Sequence, residues 1–378
     1  MKVYSSLEEF KPLKKAVVTI GTFDGVHIGH QKILATLKEQ AQKIGGETVL
    51  LTFFPHPRMI LHPEDESIRL INDIQEKIDL LYENGLDHLI ITPFTRDFSN
   101  QNAEEYIRDV LINKLGTKVM VIGYDHRFGK DRCGSFEDLV KYSQIYGYEV
   151  HQIPEQDIND IGVSSTKIRE ALIKGDIETT NLCLGHPFVM TGKVIRGEQL
   201  GRTIGYPTAN IQLLESHKLI PAYGIYAVYA QIITPNELKS GEYKKPKESE
   251  KYEALGYIGN RPTVDGINRS IEINLLNFSG DLYDKILKVE FLHFIRYDEK
   301  FESLEAMIQQ MEIDKEKAKK PNLPPLTPQL VEAEPMYKKF VKRSPAIWIN
   351  RTSDYEFRVS LGDPLPSVLQ SMARKGNG

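Results

Sequence analysis

The hydrophobic rhythm changes once along this chain, and the change calls for two different kinds of sheet. In the first half, β-rich runs alternate with helical stripes. Ala16–Ile20 predicts a strand ending at Gly21. A helix follows from about His30, with Ile33, Leu34, Leu37, Ala41 and Ile44 on one face and Gly45-Gly46 as its stop. Thr48–Phe54 is the next strand, ended by Pro55 and Pro57. Helices over Ile71–Asn84, Ala103–Lys114 and Phe136–Tyr146 alternate with strands at His88–Thr92, Lys118–Ile122 and Tyr148–Gln152. Such alternation predicts a doubly wound α/β fold, a parallel sheet covered on both faces, with ligands in the loops at the strands' carboxyl ends. A short helical region runs from Ser164-Ser165 to about Leu184. Phe188–Arg196, Ile225–Ile232, Tyr252–Ile258, Ile271–Leu276 and Ile286–Ile295 then read as strands with no helical stripe between them. That pattern predicts an antiparallel barrel or sandwich, followed by a last helix at Ser303–Lys319.

A chain of 378 residues exceeds one ordinary core. We place a boundary near Gly185-His186-Pro187, giving residues 1–185 and 186–320. Pro321 to Pro328 reads as an extended linker, and residues 321–378, with the single Trp348, carry no motif. A hydrophobic share of 40% supplies real cores, and a net charge of −4 gives no broad footprint for nucleic acid. No apolar run approaches membrane-spanning length. Cys133 and Cys183 are too few for a disulfide framework or a cysteine zinc site, so the chain reads as cytoplasmic, and its Asn268 and Asn350 sequons as chance matches.

The first chemistry-bearing segment is Gly21-Thr22-Phe23-Asp24-Gly25-Val26-His27-Ile28-Gly29-His30, which joins a strand to a helix. Backbone N–H groups and the helix dipole favour phosphate there, and Gly29 permits close approach. Two imidazoles aimed at the same phosphates would stabilise the charge built up in adenylyl transfer. A His-x-x-His pair alone is more often an ordinary helix entry; the preceding Gly-Thr-Phe-Asp-Gly reverses that reading. Ser164, Ser165 and Thr166 at a helix start offer hydroxyls to phosphate oxygens, although such a run alone is usually a helix cap. Arg169 could clamp the same oxygens. Asp24 and Asp125 stand in strand-end loops, where turn stabilisation is the commoner role. His56, between prolines, suits a rigid turn as well as a ligand contact.

These residues resemble the nucleotidyltransferase superfamily that bears the His-Ile-Gly-His signature. Thr52-Phe53-Phe54-Pro55-His56-Pro57, the run Gly123 to Gly134 and Val163-Ser164-Ser165-Thr166-Lys167-Ile168-Arg169 are similar to FAD synthetase motifs in the same order. The resemblance implies catalytic roles for His27, His30 and Arg169. It implies ATP binding by Gly21, Phe23, Asp24, Gly29, Ser164, Ser165 and Thr166, and flavin binding by His56, Asp125, Arg127 and Arg132.

The second segment runs from Gly192 to Asn210 and lacks the Walker spacing. Its Gly201-Arg202-Thr203-Ile204-Gly205-Tyr206-Pro207-Thr208-Ala209-Asn210 resembles the riboflavin kinase signature. Glycines alone would be turns of an antiparallel domain. The resemblance implies ATP contacts at Gly201, Arg202, Pro207, Thr208 and Asn210, with Mg²⁺ held by Thr208 and Asn210, oxygen donors that suit a hard cation. Glu272 falls where that family keeps its catalytic glutamate, and Tyr283 in its flavin segment; a strand glutamate by itself is normally just solvated. Asn277 stands where aspartate is usual, Asp284 where glycine is usual, and Tyr243–Lys251 belongs to a charged insertion.

Together these readings resemble bifunctional bacterial riboflavin kinase/FAD synthetases over about 300 residues. They imply ATP as co-substrate, riboflavin and FMN as small-molecule partners, and no nucleic-acid or membrane partner; a homo-oligomer stays open. Another nucleotidyltransferase lacks the paired kinase signature. A tRNA synthetase would need a Lys-Met-Ser-Lys-Ser-like loop. A flavin-binding regulator would be expected to lose His27, His30, Thr208, Asn210 or Glu272, and all five are present.

Overall fold

The computed structural model describes residues 1–65, 67–154, 162–197, 206–234, 240–246, 249–263, 266–319, 349–351 and 357–359. Gly201, Arg202, the linker from Pro321 to Pro328 and Trp348 lie outside them. The chain forms two compact units, Met1–Leu326 and Thr327–Gly378. Of the second, the described residues form one antiparallel ladder, Ile349–Arg351 with Phe357–Val359.

The first half builds a sheet from β1 (Lys2–Tyr4), β2 (Ala16–Ile20), β3 (Glu47–Phe53), β4 (His88–Thr92), β5 (Thr117–Gly123) and β6 (Glu149–Ile153). Their spatial order is β1-β4-β3-β2-β5-β6, and every pair is parallel. β2 and β4 are buried along their whole length, as a sheet with two covered faces requires. Two apolar clusters form, one on each face. Strand order reverses at β2, whose neighbours are β3 and β5, so the loops after β2 and β5 diverge and open a crevice at that edge. Helix α1 (Ile28–Ile44) begins two residues before the expected start, because His27 caps it, and ends at left-handed Gly45. Helix α2 (Ile74–Glu83) is shorter than the expected Ile71–Asn84, because a capping box between Asp73 and Glu76 fixes its start. α3 (Phe136–Tyr146) falls where expected.

The second half is a closed antiparallel barrel of β7 (Phe188–Ile195), β8 (Ala209–Leu213), β9 (Gly224–Ile233), β11 (Tyr252–Thr263), β12 (Gly266–Leu275) and β13 (Ile286–Arg296). β8 was hidden in the motif, where its residues read as site rather than strand. The β11–β12 hairpin runs on to Thr263 opposite Gly266, past the expected strand end at Ile258. The barrel core continues into α4 (Ser165–Lys174) and α5 (Ile177–Leu184): Ile168, Leu172, Ile177 and Leu184 pack with Phe188, Tyr226 and Phe291. Asn181 locks this packing, accepting from the Phe188 N–H and donating to the Phe291 carbonyl, both at 2.8 Å.

The charged insertion returns to the first half. β10 (Gly241–Glu242) adds antiparallel to β1 at the sheet edge. Just beyond it, Tyr243 bonds to Asp79 and Gln75, and Lys245 pairs with Glu83. α6 (Leu304–Ala318) packs on the barrel through Ala318, against Ala227 and Leu255.

Candidate functional site

One cavity of about 1160 Å³ opens at the carboxyl edge of the parallel sheet, and all fourteen residues expected in the first site line it. The loop after β2 supplies Gly21, Phe23, Asp24, His27, Gly29 and His30. The segment after β3 supplies His56, the loop after β5 supplies Asp125, Arg127 and Arg132, and the start of α4 supplies Ser164, Ser165, Thr166 and Arg169. The rest of the lining is mixed: six aromatic rings, Phe53, Phe94, Phe98, Tyr106, Tyr124 and Phe128, stand among charged residues such as Arg58, Arg69, Arg96 and Asp131.

The two histidines stack at 3.7 Å between ring centroids, and Phe23 covers His30 at 4.6 Å. His27 Nδ1 accepts from the His30 N–H at 3.3 Å, so a neutral His27 carries its proton on Nε2. Burial lowers His27 to about 4, and lowers His30 well below the ordinary imidazole value, with His27 and Lys77 adding to the effect there. Both rings are therefore neutral donors at pH 7. His30 Nδ1 is buried without a hydrogen-bond partner.

Several expected ligand contacts already hold the site together. The Asp24 carboxylate accepts from the Ile71 and Asn72 N–H groups at 3.0 and 3.3 Å and pairs with Arg169. Arg169 Nε donates to the Arg69 carbonyl at 2.9 Å. The Ser165 hydroxyl donates to the Asp24 carbonyl at 3.0 Å, and Ser164 caps α4 by accepting from the Lys167 N–H. His56 caps the one-turn helix Pro57–Leu61, accepting from the Arg58 N–H at 3.2 Å; burial brings it too to about 4. Thr166 is exposed at the cavity wall.

The barrel site is smaller. Antiparallel pairing sets Asn210 on β8 opposite Glu272 on β12, and the Thr208 hydroxyl donates to Glu272 Oε2 at 2.9 Å. The preceding segment is pinned: Asn274 Nδ2 donates to the Pro207 carbonyl at 2.7 Å, and the Tyr206 hydroxyl donates to Glu312 on α6. A Cβ at Gly197 would fall 2.2 Å from Asn210 Nδ2, so any side chain there would displace the Asn210 carboxamide. Tyr283 stacks under Arg196, 5.4 Å from its ring centroid, at the end of β7 where Ile195 pairs with Asn210. Asn277 and Asp284 have φ of 56° and 61°. Asparagine and aspartate are the residues that best tolerate this left-handed region after glycine, so both departures keep the turns.

Sequence reasoning missed two features. Lys77 lies on the buried face of α2, between Ile74 and Leu81, and donates to the Thr22 carbonyl at 2.8 Å. A lysine at the i+3 position of an apolar stripe was the available signal. Lys218, also buried, donates to the Ile71 carbonyl at 2.7 Å and pairs with Glu76, which accepts from Thr191 on β7 at 3.1 Å. This cluster ties the segment that Asp24 holds to the barrel, and no local pattern reveals it.

Among the described residues, no helix is long and apolar enough to cross a membrane. Residues 9–167 match the FAD synthetase family model and residues 184–321 match the riboflavin kinase model. A Haemophilus influenzae protein named bifunctional riboflavin kinase/FMN adenylyltransferase is 36% identical over 308 residues, which is 81% of this chain and 94% of the relative. Its Escherichia coli namesake is 34% identical over 303 residues, 80% of this chain and 91% of the relative. A solved structure described as a macrolide-efflux protein from Streptococcus pneumoniae superposes with a TM-score of 0.72 at 30% identity, covering 85% of this chain and 99% of that one. Two matched domains in the expected order, with relatives spanned almost end to end, place this chain in the family of bifunctional riboflavin kinase/FMN adenylyltransferases.

Proposed function

We propose that the family's two activities divide between residues 1–185, which adenylylate FMN, and residues 186–320, which phosphorylate riboflavin. ATP is the co-substrate of both. The observation that carries the reading is the single cavity on which four sequence-distant motifs converge, set beside a separate Thr208–Glu272 pair in the barrel.

In the cavity, a phosphate oxygen of FMN attacks the α-phosphorus of ATP, and the bond to pyrophosphate breaks. His27 and His30, held neutral, donate hydrogen bonds to the oxygens that gain charge; each well-aimed donor is worth about 10²–10³ in rate. Arg169 adds a cation there when phosphate competes with Asp24 for its guanidinium. The aromatic rings in the cavity wall, with His56, Asp125, Arg127 and Arg132, suit the flavin. Gly21, Phe23, Asp24, Gly29, Ser164, Ser165 and Thr166 line the nucleotide side, Asp24 and Ser165 chiefly by shaping the loop.

In the barrel, the riboflavin 5′-hydroxyl passes its proton to the Glu272 carboxylate as its oxygen attacks the γ-phosphorus, and ADP departs. The donors at hand are oxygens, which fit Mg²⁺. Thr208 and Asn210 would hold it, and it would neutralise the phosphates when bound. Pro207 sets the approach to Thr208, Gly201 and Arg202 complete the ATP contacts, and Tyr283 flanks the flavin. We place the enzyme in the cytoplasm, in keeping with two unpaired cysteines.

Chromatography of the purified chain with riboflavin, ATP and Mg²⁺ tests the reading. FMN should rise first and FAD after it. Flavin binding without either product would favour a regulator instead.

A further inference from the structure

The loop between β2 and α1 is held in a conformation that its residues disfavour. Phe23 has φ of 47° and the β-branched Val26 has φ of 39°. Such a conformation is costly for a side-chain-bearing residue and persists only where its surroundings over-determine it. The tethers are side chains that grip loop carbonyls: Ser165 at Asp24, Gln31 at Val26, and Thr52 with Lys77 at Thr22.

Lys77 differs from the others in carrying charge. It is buried, and the Thr22 carbonyl is its hydrogen-bond partner among the described residues; no carboxylate there lies within ion-pairing distance of it. Burying an ammonium without an adjacent carboxylate is expensive, and one carbonyl does not offset it. A neutral side chain could fill the space at lower cost. Burial pushes the Lys77 ammonium below its ordinary pKa, and Asp24, which Arg169 also engages, and Asp73 oppose that shift from beyond ion-pairing distance. Its hydrogen bond nevertheless goes to the loop carbonyl, and its charge opposes protonation of His30.

We propose that Lys77 is a positioning residue for adenylylation: its ammonium fixes the Thr22 carbonyl, and with it the strained Phe23–Val26 turn, and keeps a positive charge beneath the end of the cavity where His27 and His30 lie. It touches no substrate itself, since it does not line the cavity. The inference rests on the cavity being the adenylylation site.

The test compares Lys77→Met and Lys77→Arg in the full chain, assaying FAD formation from FMN and ATP separately from FMN formation from riboflavin and ATP. Lys77→Met should lower kcat for adenylylation by about 10²-fold. KM for FMN and ATP should stay within about threefold, and the kinase rate should be unchanged, which also reports that the variant is folded. Lys77→Arg should recover at least about a tenfold part of the lost kcat, because it restores charge and donor. Three results would overturn the role: a Met variant with kcat within twofold of the parent, proportional loss of both activities, or an Arg variant as slow as the Met variant. A parent chain that makes FMN but no FAD would overturn the cavity assignment first, and Lys77's role with it.

Discussion

The two sites of this chain are made in opposite ways. The cavity in the first half is assembled from loops. Residues 21–30, 56 and 125–132 meet because β2, β3 and β5 lie side by side in a parallel sheet and all end at the same edge, and residues 164–169 join them through Ser165 and Arg169 on Asp24. Its geometry depends on tethers, such as Asp24 on the Ile71 N–H and Lys77 on the Thr22 carbonyl. The barrel pair is set mainly by strand pairing, with Asn274 and Glu312 pinning the segment just before it. Thr208 and Glu272 meet because β8 and β12 are hydrogen-bonded in a register that sets Asn210 opposite Glu272. A loop site can be tuned by distant residues, whereas a register site is fixed by the ladder that makes the fold. The contrast also explains why the charged insertion and the Lys218–Glu76 cluster run from the barrel to the loop-built half.

That contrast can be broken at four points. The largest effect belongs to Glu272→Gln, which removes the proposed base and should lower FMN formation by about 10²–10⁴-fold, leaving FAD formation from supplied FMN intact. Parallel loss of both products would mean that the sites are not separate. His30→Ala should have the mirror effect, costing adenylylation about 10²–10³-fold while the kinase continues; stopped assays of FMN and FAD measure both. A smaller difference should appear in acid. His27, His56 and His126 are lowered to about 4, and His30 is lowered well below its ordinary value, so the folded cavity keeps them neutral while the unfolded chain protonates below about 6.5. Stability is then present above pH 6.5 and falls as the pH drops toward 4. Asp73, raised to about 7 by burial and by Glu76, and Asp79, raised by burial, work the other way, as two groups against these four. On the barrel, His293 is raised by its hydrogen bond to Glu178, which favours folding on mild acidification. Incubation at pH 5 followed by assay at neutral pH should therefore remove adenylylation before kinase activity; simultaneous loss would show one cooperative unit. The smallest effect is expected from Asp284→Gly, where relief of the left-handed φ should outweigh loss of the exposed Lys193 pair. A modest rise in Tm with unchanged kinase KM would agree, and a fall would show that the pair matters more than the backbone.

Much of this was legible in the residues themselves. The alternating rhythm of the first half and the close strands of the second specified a parallel sheet and an antiparallel array, because side-chain periodicity reports which faces are buried. The motifs named the residues that line the cavity, since Gly-Thr-Phe-Asp-Gly and His-Ile-Gly-His occupy a strand-to-helix turn that is local in sequence. Tertiary structure alone decided how those residues are employed. Asp24, Arg169 and Ser165 bind one another's segments across more than a hundred residues, and Lys77 reaches a carbonyl on another element. β8 and the Asn210–Glu272 register depended on barrel closure. A sequence carries local propensity along the chain; partners brought together by packing have no spacing that could announce them.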